Sequence, residues 1–151
     1  MTNPTRHAGG IAQILRSRED LSTEHLSTSQ LKLLLDSLPS NIALIDSAGE
    51  ILLVNEAWRR FAEENGMNRA DSEHGNYLRV CESAAKSGDD VARKTLEGLQ
   101  KVLDGNSANF EMEYPCHSPQ LERWFRVNVA RVELWGDRCA VVTHSDLTRA
   151  A

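Results

Sequence analysis

Cys116 and His117 stand side by side between Pro115 and Pro119, and no other pair in this chain puts a thiol next to an imidazole. Together they offer a soft and a borderline metal ligand, or a redox-sensing thiol beside a base. Adjacent residues of an extended strand point to opposite faces, so one ion reaches both only if the loop curls. No further Cys or His stands at ligand spacing, and the sequence therefore reads as a rigid hairpin loop without a metal. Ser118 beside His117 has the types of a nucleophile and its base, but no orienting acid accompanies them. The acidic pairs Glu63-Glu64 and Asp89-Asp90 fall at a helix end and a helix start, where solvation and capping account for them. There is no glycine-rich phosphate loop, and no enzymatic activity of its own is expected. His74 precedes a helix and His144 closes the last strand, and like His117 neither is assigned to an inward face. Solvated or hydrogen-bonded histidines are expected there.

The elements that position these groups belong to a chain of 151 residues with 40% hydrophobic and 26% charged, enough for one domain with a core. Its net charge of -5 arises from 22 acids and 17 bases scattered without a like-charged run, which disfavours direct nucleic-acid binding. Apolar runs such as Leu33-Leu34-Leu35 and Ile51-Leu52-Leu53-Val54 are too short to cross a bilayer, and the polar start Met1-Thr2-Asn3-Pro4 lacks a secretory stretch. No membrane association is expected. Cys81, Cys116 and Cys139 form no CxxC pair, so neither a disulfide framework nor a zinc knuckle is indicated, and Cys139 reads as core. A cytoplasmic, reducing location fits.

Residues 1–30 read as a polar extension, partly helical through Ile11, Ile14, Leu15 and Leu21. Leu31, Leu34, Leu35 and Leu38 then recur at helical steps, predicting a helix over about 28–38 that Pro39 stops. Strands are predicted at 42–46 and 50–55, joined by a turn in which Gly49 supplies positive φ. Asn55 caps a helix with Ala57, Trp58, Phe61 and Ala62 on one face, ended by Asn65-Gly66. Between 67 and 88 only short helical turns around Tyr77, Leu78, Val80 and Cys81 are expected. A longer helix runs from about 89 to 103. Period-two alternation follows in Phe110, Met112 and Tyr114, then in Phe125, Val127 and Val129, before the apolar parity shifts to Val132 and Leu134. That shift predicts a bulge near Ala130-Arg131. After a turn at Trp135-Gly136-Asp137, a last strand covers Cys139 to His144. The class is α+β with one five-stranded sheet.

The pattern Asp46-x-x-Gly49-x-Ile51-x-x-x-Asn55-x-Ala57, the long helix before three strands, and the closing Ser145-Asp146-Leu147-Thr148 resemble the PAS domain of bacterial sensor proteins over 31–148. The resemblance implies a five-stranded antiparallel sheet in the order 2-1-5-4-3, flanked by helices, with 1–30 as an N-terminal extension and 149–151 as the start of a linker. Tyr114-Pro115-Cys116-His117-Ser118-Pro119 and Arg123-Trp124-Phe125 are similar to a PAS subgroup of sensor kinases and diguanylate-cyclase fusions. It implies a sensory module that couples a small ligand or dimer geometry to an effector domain or partner in two-component or cyclic-nucleotide signalling. The alternative is a ligand-free interaction module.

Candidate site residues follow from that frame. Leu96, Leu99, Phe110, Met112, Phe125 and Val127 are candidates for a cavity wall between helix and sheet. Leu31, Leu34, Leu35 and Leu38 form an amphipathic stripe suited to a homodimer interface. Asp146 and Thr148 stand where the family passes its signal onward. The ligand itself is not named by the sequence. Flavin-adduct members of the family carry Gly-x-Asn-Cys-Arg-Phe-Leu-Gln, whereas this chain has Gly75-Asn76-Tyr77-Leu78-Arg79, and a phenol cannot replace the thiolate. The helix over 89–104 holds no histidine for haem iron. Neither flavin chemistry nor haem is expected.

Overall fold

A computed structural model describes residues 27–64, 72–116 and 119–147. The helix expected in 11–21, the stop at Asn65-Gly66, His117, Ser118, Thr148 and the segment 149–151 lie outside the described residues. The chain divides into two units between Leu33 and Leu34, within the first described helix. That helix, α1 (Thr28–Asp36), is opened by a capping box: the Gln30 amide donates to Ser27 Oγ at 3.1 Å and the Ser27 amide to Gln30 Oε1 at 3.0 Å. None of its residues is buried.

β1 (Asn41–Ile45) and β2 (Ile51–Val54) form the first hairpin. The Asp46 carboxylate accepts from the amides of Ala48 and Glu50, both at 2.9 Å, and Gly49 takes φ +90. A side chain at Gly49 would also meet Leu78, so the turn needs glycine twice over. Asn55 does more than cap the helix that follows it, α2 (Glu56–Glu64). Fully buried, it accepts through Oδ1 from Ile42 and Trp58 amides, and donates through Nδ2 to the Leu35 and Ser40 carbonyls. One side chain thereby joins the end of α1, the hairpin and α2.

Where only short turns are expected, the chain forms a ten-residue helix, α3 (Tyr77–Lys86). Asn76 caps it by accepting from the Arg79 amide at 3.1 Å, and Tyr77 and Cys81 are buried one turn apart. Its inward stripe is narrow, and the polar remainder of the helix hides the period. α4 (Asp90–Leu103), capped by Asp89, buries Thr95, Gly98, Leu99, Val102 and Leu103. A Cβ at Gly98 would collide with the Phe110 ring, so the glycine lets the helix approach the sheet.

β3 (Asn109–Pro115), β4 (Trp124–Leu134) and β5 (Asp137–Asp146) complete a sheet in the order β2-β1-β5-β4-β3, with every neighbouring pair antiparallel. The bulge expected near Ala130-Arg131 is absent: β4 and β5 pair without a break from Phe125 opposite Asp146 to Leu134 opposite Asp137. The parity shift has another cause. Phe125, Val127 and Val129 share the helix-covered face with Ala140 and Val142, whereas Val132 lies on the other face opposite the buried Cys139. The only register irregularity recorded among the described pairs lies between β1 and β2, where Ile45 pairs with Ile51 and Leu52 is left over. The core between sheet and helices gathers Ile45, Val127, Val129, Ala140 and Val142 against Leu99, Val102, Leu103, Tyr77 and Cys81. No helix among the described residues is long and apolar enough to cross a membrane.

Candidate functional site

β5 carries Ala140, Val142 and His144 at alternate positions, so the histidine continues the inward row that the two apolar residues begin. Two phenols meet its ring. Tyr77, the first residue of α3, places its hydroxyl 3.0 Å from His144 Nε2, and Tyr114 on β3 places its own 2.7 Å from Nδ1. Tyr77 is held there by backbone bonds to the hairpin, its amide donating to the Gly49 carbonyl at 2.8 Å and the Ile51 amide to the Gly75 carbonyl at 2.9 Å. The turn glycine and the helix start are thus parts of one scaffold. The expectation of no inward histidine is corrected at His144, and the parity of Ala140 and Val142 is the signal that would have found it.

Burial sets the protonation of the cluster. It pushes the His144 pKa down to about 4, which leaves a neutral imidazole at pH 7. The Tyr77 phenol is raised well above its ordinary range, first by burial and then by the neighbouring Cys81 and Tyr114. Tyr114 is raised as well, again chiefly by burial. Burial pushes the Cys81 thiol up to about 11, opposed in part by its hydrogen bond with Tyr77. Tyr114, His144 and Tyr77 therefore form one uncharged hydrogen-bonded chain, with the neutral Cys81 thiol one helical turn beyond Tyr77.

Beside this chain lies a cavity of about 280 Å³, walled by Ile51, Trp58, Phe61, Tyr77, Val80 and His144, with Ser72, His74, Gly75 and Asn76 along its rim. The Trp58 ring sits 5.6 Å from Tyr77 and 5.7 Å from His144, tilted to both, and its indole N–H donates to the Ser72 carbonyl at 3.2 Å. A second recess of about 240 Å³ includes Phe61, Arg60, Arg123, Phe125, His144 and Asp146.

The residues predicted for a cavity wall are placed as follows. Leu99 and Val127 are fully buried in the core, with Leu96, Phe110 and Met112 packed against it. Phe125 reaches the second recess, where its ring lies 5.4 Å from Phe61. The wall of the larger cavity comes instead from α2, α3, β2 and β5. Of the leucine stripe, Leu34 and Leu38 are exposed, Leu31 and Leu35 are half-buried, and Leu33, not part of that stripe, is the most exposed at 71%. At the end of β5, Asp146 pairs with Arg123 at 3.4 Å, and Ser145 Oγ lies 2.9 Å from Ser40 Oγ at the entry to β1. Cys116 is half-buried, its amide donating to the Arg123 carbonyl at 2.8 Å. Among the described residues no cluster of three or more His, Cys, Asp or Glu is arranged to hold a metal.

Sequence reasoning also passed over Arg59. Only 4% exposed, it meets Asp36 of α1 at 3.2 Å, Glu56 at 2.9 Å and Glu73, next to the cavity rim, at 3.4 Å. Asp36 in turn accepts from the Glu56 amide at 2.7 Å. A buried guanidinium demands such partners, and here they connect the end of α1 to the segment leading into α3.

Strand order, helical layer and the capped hairpin meet in a match to the family model of the PAS domain over residues 29–95. The chain carries a PAS domain. An uncharacterised 104.1 kDa protein encoded in the hypE 3′ region of Rhodobacter capsulatus is 39% identical to it over 133 residues. That match takes in 84% of this chain and 14% of the relative, so the chain spans about one seventh of that protein's length. Among solved structures, the PAS domain of Bordetella pertussis BvgS superposes with a TM-score of 0.58 at 16% identity, covering 80% of this chain and 86% of its own. A sensory box sensor histidine kinase from Vibrio cholerae superposes at 0.51 with 16% identity, covering 93% of this chain and 100% of its own. At such identities the PAS fold is what is shared.

Proposed function

We propose that this PAS domain is a cytoplasmic sensory module that binds a small molecule between α2, α3 and the sheet and passes its occupancy along β5 to an effector. The observation that carries this reading is the cavity built around Trp58, Tyr77 and His144, an aromatic wall with a buried polar chain behind it. His144 lines both recesses, and two residues further on Asp146 begins the proposed output. Occupancy at the ring is thus two residues from the exit. Two-component or cyclic-nucleotide signalling is the setting that the family suggests. Leu96, Leu99, Phe110, Met112, Phe125 and Val127 form the layer that a ligand larger than the cavity would displace. The domain supplies no catalysis in this reading.

Chromophore chemistry is not part of the proposal. The thiol nearest Tyr77 is Cys81, whose raised pKa makes it a poor nucleophile. Both nitrogens of His144 are engaged by phenols, so iron could bind there only by displacing one of them. Native mass spectrometry of the full chain purified from cells tests the sensory reading. A retained small molecule supports it. A bare protein whose melting temperature no compound of a metabolite library moves would overturn it.

A second reading has its own observation. Leu34 and Leu38 are 55% and 46% exposed, apolar side chains suited to a second copy of the chain. A dimer with no ligand in any preparation would favour an interaction module.

A further inference from the structure

We infer that the second recess, at the end of β5, is a binding site of its own for a small zwitterion, an α-amino acid with an apolar side chain. This goes beyond the sensory reading, whose cavity shares only Phe61 and His144 with the recess among the described residues.

The first argument is an unanswered amide. Asn41, the first residue of β1, pairs with His144 of β5 and stands on the same face as Ala43 and Ile45, which turns its side chain toward the recess it lines. It is only 9% exposed. A carboxamide carries two N–H donors and an acceptor oxygen, and among the described residues none of them finds a hydrogen-bond partner. A polar group so nearly buried is costly unless something polar meets it.

The second argument is charge left open. Arg60 and Glu64 are four residues apart on α2, where opposite charges commonly close on each other. Both line the recess, yet no ion pair joins them, and neither has another among the described residues. The Arg60 guanidinium is a planar fork that matches a carboxylate, to which the Asn41 N–H groups add, and Glu64 offers a counter-charge to an ammonium. A ligand with one charge would leave Arg60 or Glu64 unanswered, whereas a zwitterion answers both. Arg123 and Asp146, which meet each other at 3.4 Å, bring a further pair of opposite charges to the same recess.

The third argument is the remaining wall. Pro39, Ala57, Phe61 and Phe125 are apolar and give a side chain a surface to cover. Since roughly 150 Å³ suffices for benzene, about 240 Å³ suits a ligand of about nine non-hydrogen atoms, the size of leucine.

The test titrates the full chain, labelled in ¹⁵N, with three probes that share one branched carbon skeleton: L-leucine; 4-methylpentanoate, which lacks the ammonium; and 3-methylbutylamine, which lacks the carboxylate. L-Leucine is expected to bind at least tenfold tighter than either other probe and to move the assigned Asn41 side-chain amide signals. Arg60→Gln is expected to weaken leucine at least tenfold and the amine less than twofold. Glu64→Gln is expected to weaken leucine at least tenfold and 4-methylpentanoate less than twofold. Both side chains are exposed, and if either variant fails to fold, the ranking of the probes on the wild type decides. Either single-charge probe binding as tightly as leucine overturns the zwitterion class. Leucine binding that leaves the Asn41 signals unmoved, or that both variants leave unchanged, overturns the site, and no binding of leucine overturns the inference as a whole. The recess lies apart from the cavity, so failure here leaves the sensory reading standing.

Discussion

His144 titrates in a different range folded than unfolded, and that difference is a statement about stability. Burial holds its pKa at about 4 in the domain, against about 6.5 in an unfolded chain. As pH falls the unfolded state takes up the proton first, so the domain loses stability between about 6.5 and 4 and keeps it in full above that window. The gap corresponds to at most about 3 kcal/mol. Urea denaturation between pH 4.5 and 7.5 is expected to show a midpoint that drops on acidification, and His144→Gln is expected to flatten the drop. An equal slope in both proteins would assign the acid sensitivity to other groups. The strand alternation that reveals His144 was legible along the sequence, but its two phenols were not. Tyr77 and Tyr114 lie 67 and 30 residues from it, and their meeting depends on the register of β3 and on the docking of α3.

Elements differ in how much of themselves they disclose. α4 announces itself through an acidic cap and an apolar stripe, and its least conspicuous residue, Gly98, governs how it docks. Alanine favours a helix by about 1 kcal/mol over glycine, yet here its methyl group would strike Phe110. Gly98→Ala is expected to lower stability by about 1–3 kcal/mol, read by thermal or urea melts, with partial recovery when Phe110→Leu makes room. A more stable single variant would show that the helix can shift at no cost. α3 was hidden because two buried positions one turn apart are too few to establish a period. α1 presents the opposite case: its stripe is plain in the sequence and none of its residues is buried. If a second copy covers it, Leu34→Glu puts a charge in the seam and should weaken the dimer at least tenfold by light scattering or sedimentation. A wild type that is monomeric at micromolar concentration would refute that interface.

At the scale of the molecule, the cavity and the proposed exit share β5. Ser145 meets Ser40 at the entry to β1 and Asp146 meets Arg123 at the start of β4, so the end of β5 is tied to two other strands' approaches. In a fusion to an effector, replacing Asp146 and Thr148 by alanine is expected to leave the melting temperature within a few degrees and to uncouple ligand from output. Unchanged switching in that fusion would exclude the role. Arg59 supplies a second connection, since it binds the end of α1 and Glu73 beside the cavity rim together.

Local chemistry along the chain was enough for the hairpin turn, the caps at Asn55 and Asp89, the long helix, the period-two strands and the PAS pattern, because each depends on residues within a few positions of one another. The location of the cavity, the neutral Tyr114–His144–Tyr77 chain and the buried Arg59 were decided only by tertiary structure. Their partners come from distant segments, and desolvation, which sets the protonation of His144 and obliges Arg59 to find carboxylates, exists only once the layers have closed. The same holds for β4. Its apolar parity shift is visible in the sequence, but whether it marks an extra residue or a change of covered face depends on the strand opposite, and the unbroken pairing with β5 shows the second.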